Sequence, residues 1–278
     1  MRSMTLNRKT IRSLLKLFIL LTVAFLVTSK TYANCERNPY VFAGPDQYIK
    51  LLKSVVSPAK GTILISHGGT GGRAGPLSNN WAKFFNAHGY DAVVLNHFPQ
   101  RGLLESTCKA TYPEADSWRR EDALAVMKWL THESKPAPQK IFLMGFSAGT
   151  ASVFPFITDS RFQSDLPSPN IVSGGILFYP WAYGCMNPPQ KLTKPTLFLG
   201  ASEDNVMRCW ESSNWLKQAV TTQLMTLKVI EGAMHAFDNP SMKSKKCTQG
   251  GRYPYCMEYN PDAHKLAEQQ VLNFLKAQ

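Results

Sequence analysis

The sequence lacks several things that would have set its class. It has no CxxC pair, no GK[ST] phosphate loop and no apolar run approaching 20 residues. The first absence disfavours a structural zinc site. The second excludes a P-loop nucleotide site, and the third a spanning helix. Charged residues are only 18% of the chain, and no internal repeat, low-complexity tract or linker interrupts it. With 278 residues, 44% hydrophobic, 18 Gly and 18 Pro, the composition is that of a globular protein. It excludes a disordered polymer, a collagen, a coiled coil and a polytopic membrane protein. A chain of this size buries enough surface to fold without a metal.

Acidic residues are also missing, locally. The first 33 residues carry Arg2, Arg8, Lys9, Arg12, Lys16 and Lys30 and no acid, so half of the formal charge of +12 sits there. The remainder, 25 bases against 19 acids, is only mildly basic and is read as a solvated surface with no nucleic-acid partner. After the basic stretch comes an 11-residue apolar run, Leu17 to Val27, and then Thr31-Tyr32-Ala33 with small residues three and one before a cut. Basic, apolar and small-residue segments in this order make a secretory signal peptide. The expectation is a soluble, exported product starting near Asn34, without a stable membrane anchor, periplasmic or extracellular. Residues 34–278 are then one domain. All six cysteines follow the expected cut, as disulfides in an oxidising compartment require. Cys247 and Cys256 are the easiest to join, because they bracket a short loop.

Short apolar segments alternate with helical patterns. The strand candidates are Thr62 to Ile65, Asp91 to Asn96, Lys140 to Gly145, Gly174 to Tyr179, Pro195 to Gly200 and Thr226 to Ile230. They read as strands buried on both faces. Helical stripes run around Trp81 to His88, Asp116 to Glu133, Trp210 to Val220 and Asp262 to Lys276. The alternation predicts an α/β fold with a mostly parallel sheet covered on both faces. The stretch from Pro240 to Pro261 reads as a long loop, either functional or tied by a disulfide.

The chemistry is concentrated in three loops. Gly145-Phe146-Ser147-Ala148-Gly149 is G-x-S-x-G after a strand and before a helix expected from Ala148 to about Ile157. That context makes Ser147 the candidate nucleophile, on a strained turn whose neighbours must be small. A serine needs a base. Among six histidines, His235 follows the last strand, where this arrangement requires the base; His97, also just after a strand, is the rival. The others read as strand-end, helix-end or surface residues. An acid must orient the imidazole, and Glu203 and Asp204 both follow the strand ending at Gly200. The order serine, acid, histidine is that of an α/β-hydrolase. Oxyanion-hole N–H groups are expected from Ala148 and from Gly69, in the loop His67-Gly68-Gly69-Thr70-Gly71-Gly72. Candidate substrate-binding residues are Phe146, Arg101 and Trp181, with Phe98, Gln100, Tyr179, Tyr183 and Phe237 nearby in sequence. They give an aromatic pocket with one cation. No cofactor motif or metal-ligand cluster stands out, and the expected partner is a small-molecule ester.

The stretches LISHGGTGG, HFPQRGL, REDALAVMKWL, GFSAG, FLGASED and EGAMHAFDNP resemble the dienelactone hydrolase family of α/β-hydrolases, especially its exported bacterial members. The resemblance covers about Gly61 to Pro240. It implies an eight-stranded, mostly parallel sheet and hydrolysis of an ester or lactone. Two positions depart from the family pattern. The founding members carry a cysteine where this chain has Ser147, so their lactone specificity does not transfer. The family's acid, an aspartate three residues beyond Gly200, falls on Glu203, while residue type favours Asp204. The expected activity is therefore that of a serine hydrolase working through an acyl-enzyme. An acyltransferase or peptidase with the same parts, or a catalytically silent binding protein on this fold, are the alternatives.

Overall fold

The computed structural model describes most of residues 49–278, leaving out 70–74, 98–111, 135, 159–161, 163, 169, 181–190, 207–218, 220 and 248–254. Seven strands form the main sheet: β1 (Ile49–Leu52), β2 (Thr62–Ser66), β3 (Asp91–Leu95), β4 (Ile141–Phe146), β5 (Val172–Phe178), β6 (Thr196–Ala201) and β7 (Met225–Ile230), in the order β1-β3-β2-β4-β5-β6-β7. Only β1, at one edge, is antiparallel to its neighbour. The helices are α1 (Gly75–Ala87), α2 (Tyr112–His132), α3 (Phe154–Thr158) and α4 (Pro261–Lys276).

Alternation within the strands explains the layering. In β4, Phe142 and Met144 enter the core that holds Trp81, Phe85 and Phe274 from α1 and α4. Ile141 and Leu143 enter the opposite core, with Val126 and Met127 of α2 and Phe156 and Ile157 of α3. Side chains of a strand alternate between faces, so two apolar layers require an apolar residue at nearly every position. That requirement produces the continuous hydrophobic runs in the sequence. Helix α4 begins where Asn260 accepts the backbone N–H groups of Asp262 and Ala263, with Pro261 in the first turn. This is the favoured start for a helix. Its residues Ala263, Ala267, Val271 and Phe274 form the buried stripe.

Three expectations need correction. The main sheet has seven strands among the described residues, not eight. After Ile230 the described chain runs through the His235 loop into a two-stranded hairpin, β8 (Lys246–Cys247) with β9 (Cys256–Met257), and then into α4. It contributes no further strand beside β7. The helix expected after Gly145 is instead a 3-10 turn, Ser147–Ser152, followed by the five-residue α3. Edge strand β1 was not anticipated, because its short mixed pattern (IKLL) covers no second layer. The helix expected at 210–220 lies almost wholly outside the described residues. Among the described residues, no helix is long and apolar enough to cross a membrane.

Candidate active site

The parallel register brings the carboxyl ends of β2, β4, β6 and β7 to one edge: Ser66 lies opposite Gly145, and Ala201 opposite Ile230. Ligand sites of open α/β sheets form there. Ser147 leaves β4 with φ +48°, in the left-handed region that non-glycine residues seldom adopt and that marks functional strain. The turn closes tightly. A Cβ on Gly145 would meet the Thr150 Cα at 2.7 Å, and one on Gly149 would collide with the carbonyl oxygens of Ser66 and His67. Both glycines are therefore steric requirements of the elbow.

On the far side, the acid and histidine loops are sewn together. The Glu203 N–H donates to the Ala233 carbonyl at 2.9 Å, the Ser202 N–H to that of Ile230 at 3.1 Å, and the Gly232 N–H to Ser202 Oγ at 2.8 Å. The Glu203 side chain is left exposed. Asp204 turns inward, 1% exposed, and its Oδ2 lies 2.7 Å from His235 Nδ1. Its Oδ1 accepts the Val206 N–H at 2.8 Å. Of the two carboxylates, Asp204 is the one that meets His235.

The Tyr179 ring packs against the His235 imidazole with centroids 4.5 Å apart. Tyr179 is also held at positive φ, +34°. Its hydroxyl donates to Asp238 Oδ1 at 2.8 Å, and Trp81 Nε1 donates to Oδ2 at 2.8 Å. Burial pushes the Asp238 carboxyl up despite both donors, and burial together with the Asp238 charge pushes the Tyr179 phenol well above its ordinary value. The sequence reading missed Asp238. The available signal was a carboxylate within the apolar stretch right after His235.

Burial sets two residues of the expected aromatic pocket apart from it. Phe146 is 1% exposed and packs on Trp81, Phe178 and Tyr179, while Phe237 is fully buried against Phe178. Both are core residues, in the cluster that holds Trp81 and Phe178. Arg101, Trp181, Phe98, Gln100 and Tyr183 lie outside the described residues. Gly69 is exposed and Ala148 half-buried.

His97 also has an acid and a serine: its Nδ1 lies 2.7 Å from Asp122 Oδ2, and its Nε2 lies 2.7 Å from Ser66 Oγ. That serine is 1% exposed within β2, so the constellation faces no substrate. Beside the His235 loop, Cys247 and Cys256 form a disulfide across the β8–β9 hairpin. The Cys256 N–H donates to Asn205 Oδ1 at 2.9 Å, and Met257 bridges to His235. Cys35, Cys108, Cys185 and Cys209 lie outside the described residues.

A parallel sheet with a strained serine at the end of a central strand, and a histidine–aspartate pair at the same edge, defines an α/β-hydrolase. A family model described as the dienelactone hydrolase family matches residues 88–278. The chain belongs to this family, and hydrolysis of an ester-type bond is the activity that membership carries. No curated protein matches the chain. Similar solved structures include a dienelactone hydrolase from Anabaena variabilis, at 15% identity, covering 82% of this chain and 90% of that one, with TM-score 0.58. A dienelactone hydrolase-like promiscuous phosphotriesterase from metagenomic libraries is 12% identical over 83% and 98%, with TM-score 0.58. Thermogutta terrifontis esterase 2, phosphorylated by paraoxon, is 15% identical over 85% and 92%, with TM-score 0.56. At these identities the likeness is one of fold.

Proposed function

We propose that the protein is an exported serine hydrolase that cleaves a carboxylic ester or lactone through an acyl-enzyme. The observation that carries this reading is the buried contact between His235 Nδ1 and Asp204 Oδ2, at the same sheet edge as the strained Ser147. With Nδ1–H donated to the carboxylate, Nε2 is the basic nitrogen. Ser147 Oγ attacks the substrate carbonyl carbon while its proton passes to Nε2, and the Asp204 carboxylate stabilises the imidazolium so formed. The N–H groups of Ala148 and Gly69 hold the oxyanion. Collapse breaks the ester bond, and the leaving alcohol takes the proton from His235. Water then attacks the acyl group with His235 as base, releasing the acid and restoring Ser147. The related Thermogutta esterase has been captured with propionate and with butyrate bound, so short acyl groups are the first to test here.

An organophosphorus probe is the direct experiment, since the same esterase is phosphorylated by paraoxon. A fluorophosphonate should label the wild-type protein at Ser147. Ser147→Ala should abolish labelling and lower ester turnover by a factor on the order of 10⁶ when chemistry limits the rate. Retention of a tenth of the activity in Ser147→Ala would end the assignment.

Export rests on the sequence of residues 1–33, with the Cys247–Cys256 disulfide in support. A single domain over residues 34–278 rests on the lack of a repeat, low-complexity tract or linker in the sequence. N-terminal sequencing of natively produced protein should begin at Asn34. A retained Met1 would refute cleavage.

A further inference from the structure

Behind the glycine loop that follows β2 lies a set of buried polar groups that the proposed mechanism does not use. His67, His97, Arg119 and Asp122 are all at most 3% exposed. The backbone N–H of His97 donates to His67 Nε2 at 3.1 Å. Nε2 is therefore an acceptor, the ring proton sits on Nδ1, and Nδ1 donates to the Gly68 carbonyl at 2.8 Å. Burial and the neighbouring His97 and Arg119 hold the His67 pKa well below 6.5, which keeps this tautomer neutral. From α2, Arg119 Nη1 donates to the His67 carbonyl at 2.7 Å, and Nη2 to the Gly68 carbonyl at 3.2 Å. The contacts of His97 with Asp122 and Ser66, at 2.7 Å each, hold in place the residue whose N–H selects the His67 tautomer.

Two of these bonds, from His67 Nδ1 and Arg119 Nη2, converge on the Gly68 carbonyl, and Arg119 Nη1 holds the peptide before it. A trans peptide is planar, so its C=O and N–H point in opposite directions. Fixing the Gly68 carbonyl from behind therefore fixes the direction of the Gly69 N–H in front. The loop runs beside the nucleophile: a Cβ on Gly68 would lie 3.3 Å from the Phe146 carbonyl oxygen and 3.5 Å from the Ser147 Cβ. Glycines have no side chain with which to hold a conformation of their own. A loop of His-Gly-Gly must be held from outside if its N–H groups are to be aligned before charge develops, and such prior alignment is what makes an oxyanion hole effective.

We propose that Arg119 and His67 are the positioning residues of the oxyanion hole, clamping the Gly68 carbonyl so that the Gly69 N–H is aimed at the developing oxyanion. This rests on the serine-hydrolase reading above. Neither side chain touches substrate. Both act through the peptide they hold.

The test compares His67→Asn with His67→Gln, and adds Arg119→Lys. Asparagine places an N–H donor where Nδ1 was, keeping the bond to Gly68. Glutamine reaches the Nε2 position and loses it. Each variant is assayed on an aryl ester and on its thionoester, whose C=S is a poor hydrogen-bond acceptor. Loss of one oxyanion donor costs about 10²–10³ in kcat, and a displacement near 1 Å about 10². His67→Gln and Arg119→Lys should lose about 10- to 100-fold in kcat on the ester, with KM changed by less than about threefold. Their ester-to-thionoester ratio should fall in proportion, because the thionoester gains little from the hole. His67→Asn should recover most of the turnover that His67→Gln loses. An unchanged ester-to-thionoester ratio in the slowed variants, or equal losses for His67→Asn and His67→Gln, overturns the proposal. Should either His67 variant fail to fold, Arg119→Lys carries the same ratio test. A wild-type protein that neither labels with fluorophosphonate nor cleaves esters overturns the hydrolase reading and this proposal with it. Labelled wild type with unaltered ratios in the variants overturns this proposal alone.

Discussion

Asp204→Asn gives a sharp test of the histidine–aspartate pair, because the structure determines how the amide must sit. Asp204 Oδ1 accepts the Val206 N–H at 2.8 Å, and Oδ2 faces His235 Nδ1 at 2.7 Å. An asparagine keeps its oxygen on the Val206 N–H, since its NH₂ cannot accept from that donor. The NH₂ is then forced toward His235. Nδ1 becomes an acceptor, the ring proton moves to Nε2, and the imidazole can no longer take a proton from Ser147. Both hydrogen bonds survive, so the fold should be nearly unaffected. Turnover should fall by about 10⁴, equivalent to about 5.5 kcal/mol of barrier, as for amide replacements of triad aspartates in other hydrolases. Glu203→Gln, exposed and one residue away, should change turnover less than about twofold, as surface substitutions do. The assay is ester hydrolysis at neutral pH, with thermal unfolding of each variant as the folding control. If Asp204→Asn folds normally and loses no more than about tenfold, Asp204 is not the orienting acid.

The Cys247–Cys256 bond closes a loop of sequence separation 9, worth about 2.6 kcal/mol in the chain-entropy model. Replacing both cysteines by alanine should therefore lower Tm by about 5–10 °C. Because the hairpin is tied to Asn205 and His235, ester turnover should fall as well; an unchanged Tm would show that the bridge does not constrain the chain. Asp116 supplies a pH test. Burial pushes its carboxyl up to about 6, against the opposing charge of Arg119. The native state then holds a proton that the unfolded chain releases near pH 4, so this group's contribution to stability is present below about pH 4 and is lost as pH rises toward 6. Asp116→Asn should flatten that part of the pH profile in urea titrations between pH 4 and 7, and an unaltered slope would contradict the assignment.

The parts of the fold that were legible in the sequence are those governed by local burial. β2 to β7 each lie within a residue or two of an apolar run. For β2 to β6 the reason is that a strand covered on both faces has nowhere to place a polar side chain. β7, at one edge of the sheet, is not covered as expected and exposes Thr226, Lys228 and Val229. β1, at the opposite edge, escaped notice because its four residues (IKLL) are too few and too mixed to form a run. The loops of the candidate site were legible from their positions after strands. Residue type and residue counting disagreed over Glu203 and Asp204, however, and neither could decide. The decision lies in the backbone: the Glu203 N–H is tied to Ala233 and the Asp204 N–H to Ala201, and this turns the second side chain inward. The supporting groups were invisible for a different reason. Arg119 meets Gly68 across 51 residues of sequence, and Tyr179 meets Asp238 across 59. Only a charge on the apolar stripe of α2, with Arg119 preceding Ala123 and Val126, hinted that a buried partner was waiting.

In the proposed mechanism the two histidines at this edge take opposite roles, set by what faces them. His235 is held at Nδ1 by a carboxylate, so a proton arriving at Nε2 produces a cation with a counter-charge 2.7 Å away. His67 meets a backbone N–H at Nε2 and lies near the Arg119 guanidinium, and its Nδ1–H is committed to a carbonyl. A second proton on that ring would have to displace a donor and sit beside another cation in a buried site, where repulsion is scarcely screened. One imidazole can therefore cycle its proton while the other serves as a fixed dipole. The requirement is physical. A base must change charge during turnover, whereas a group that aims an oxyanion donor must not, because any change of its protonation would move the N–H it positions. Placing both on one sheet edge works only if their surroundings differ in this sense, and here the difference comes from α2 on one side and from the β6–β7 loops on the other.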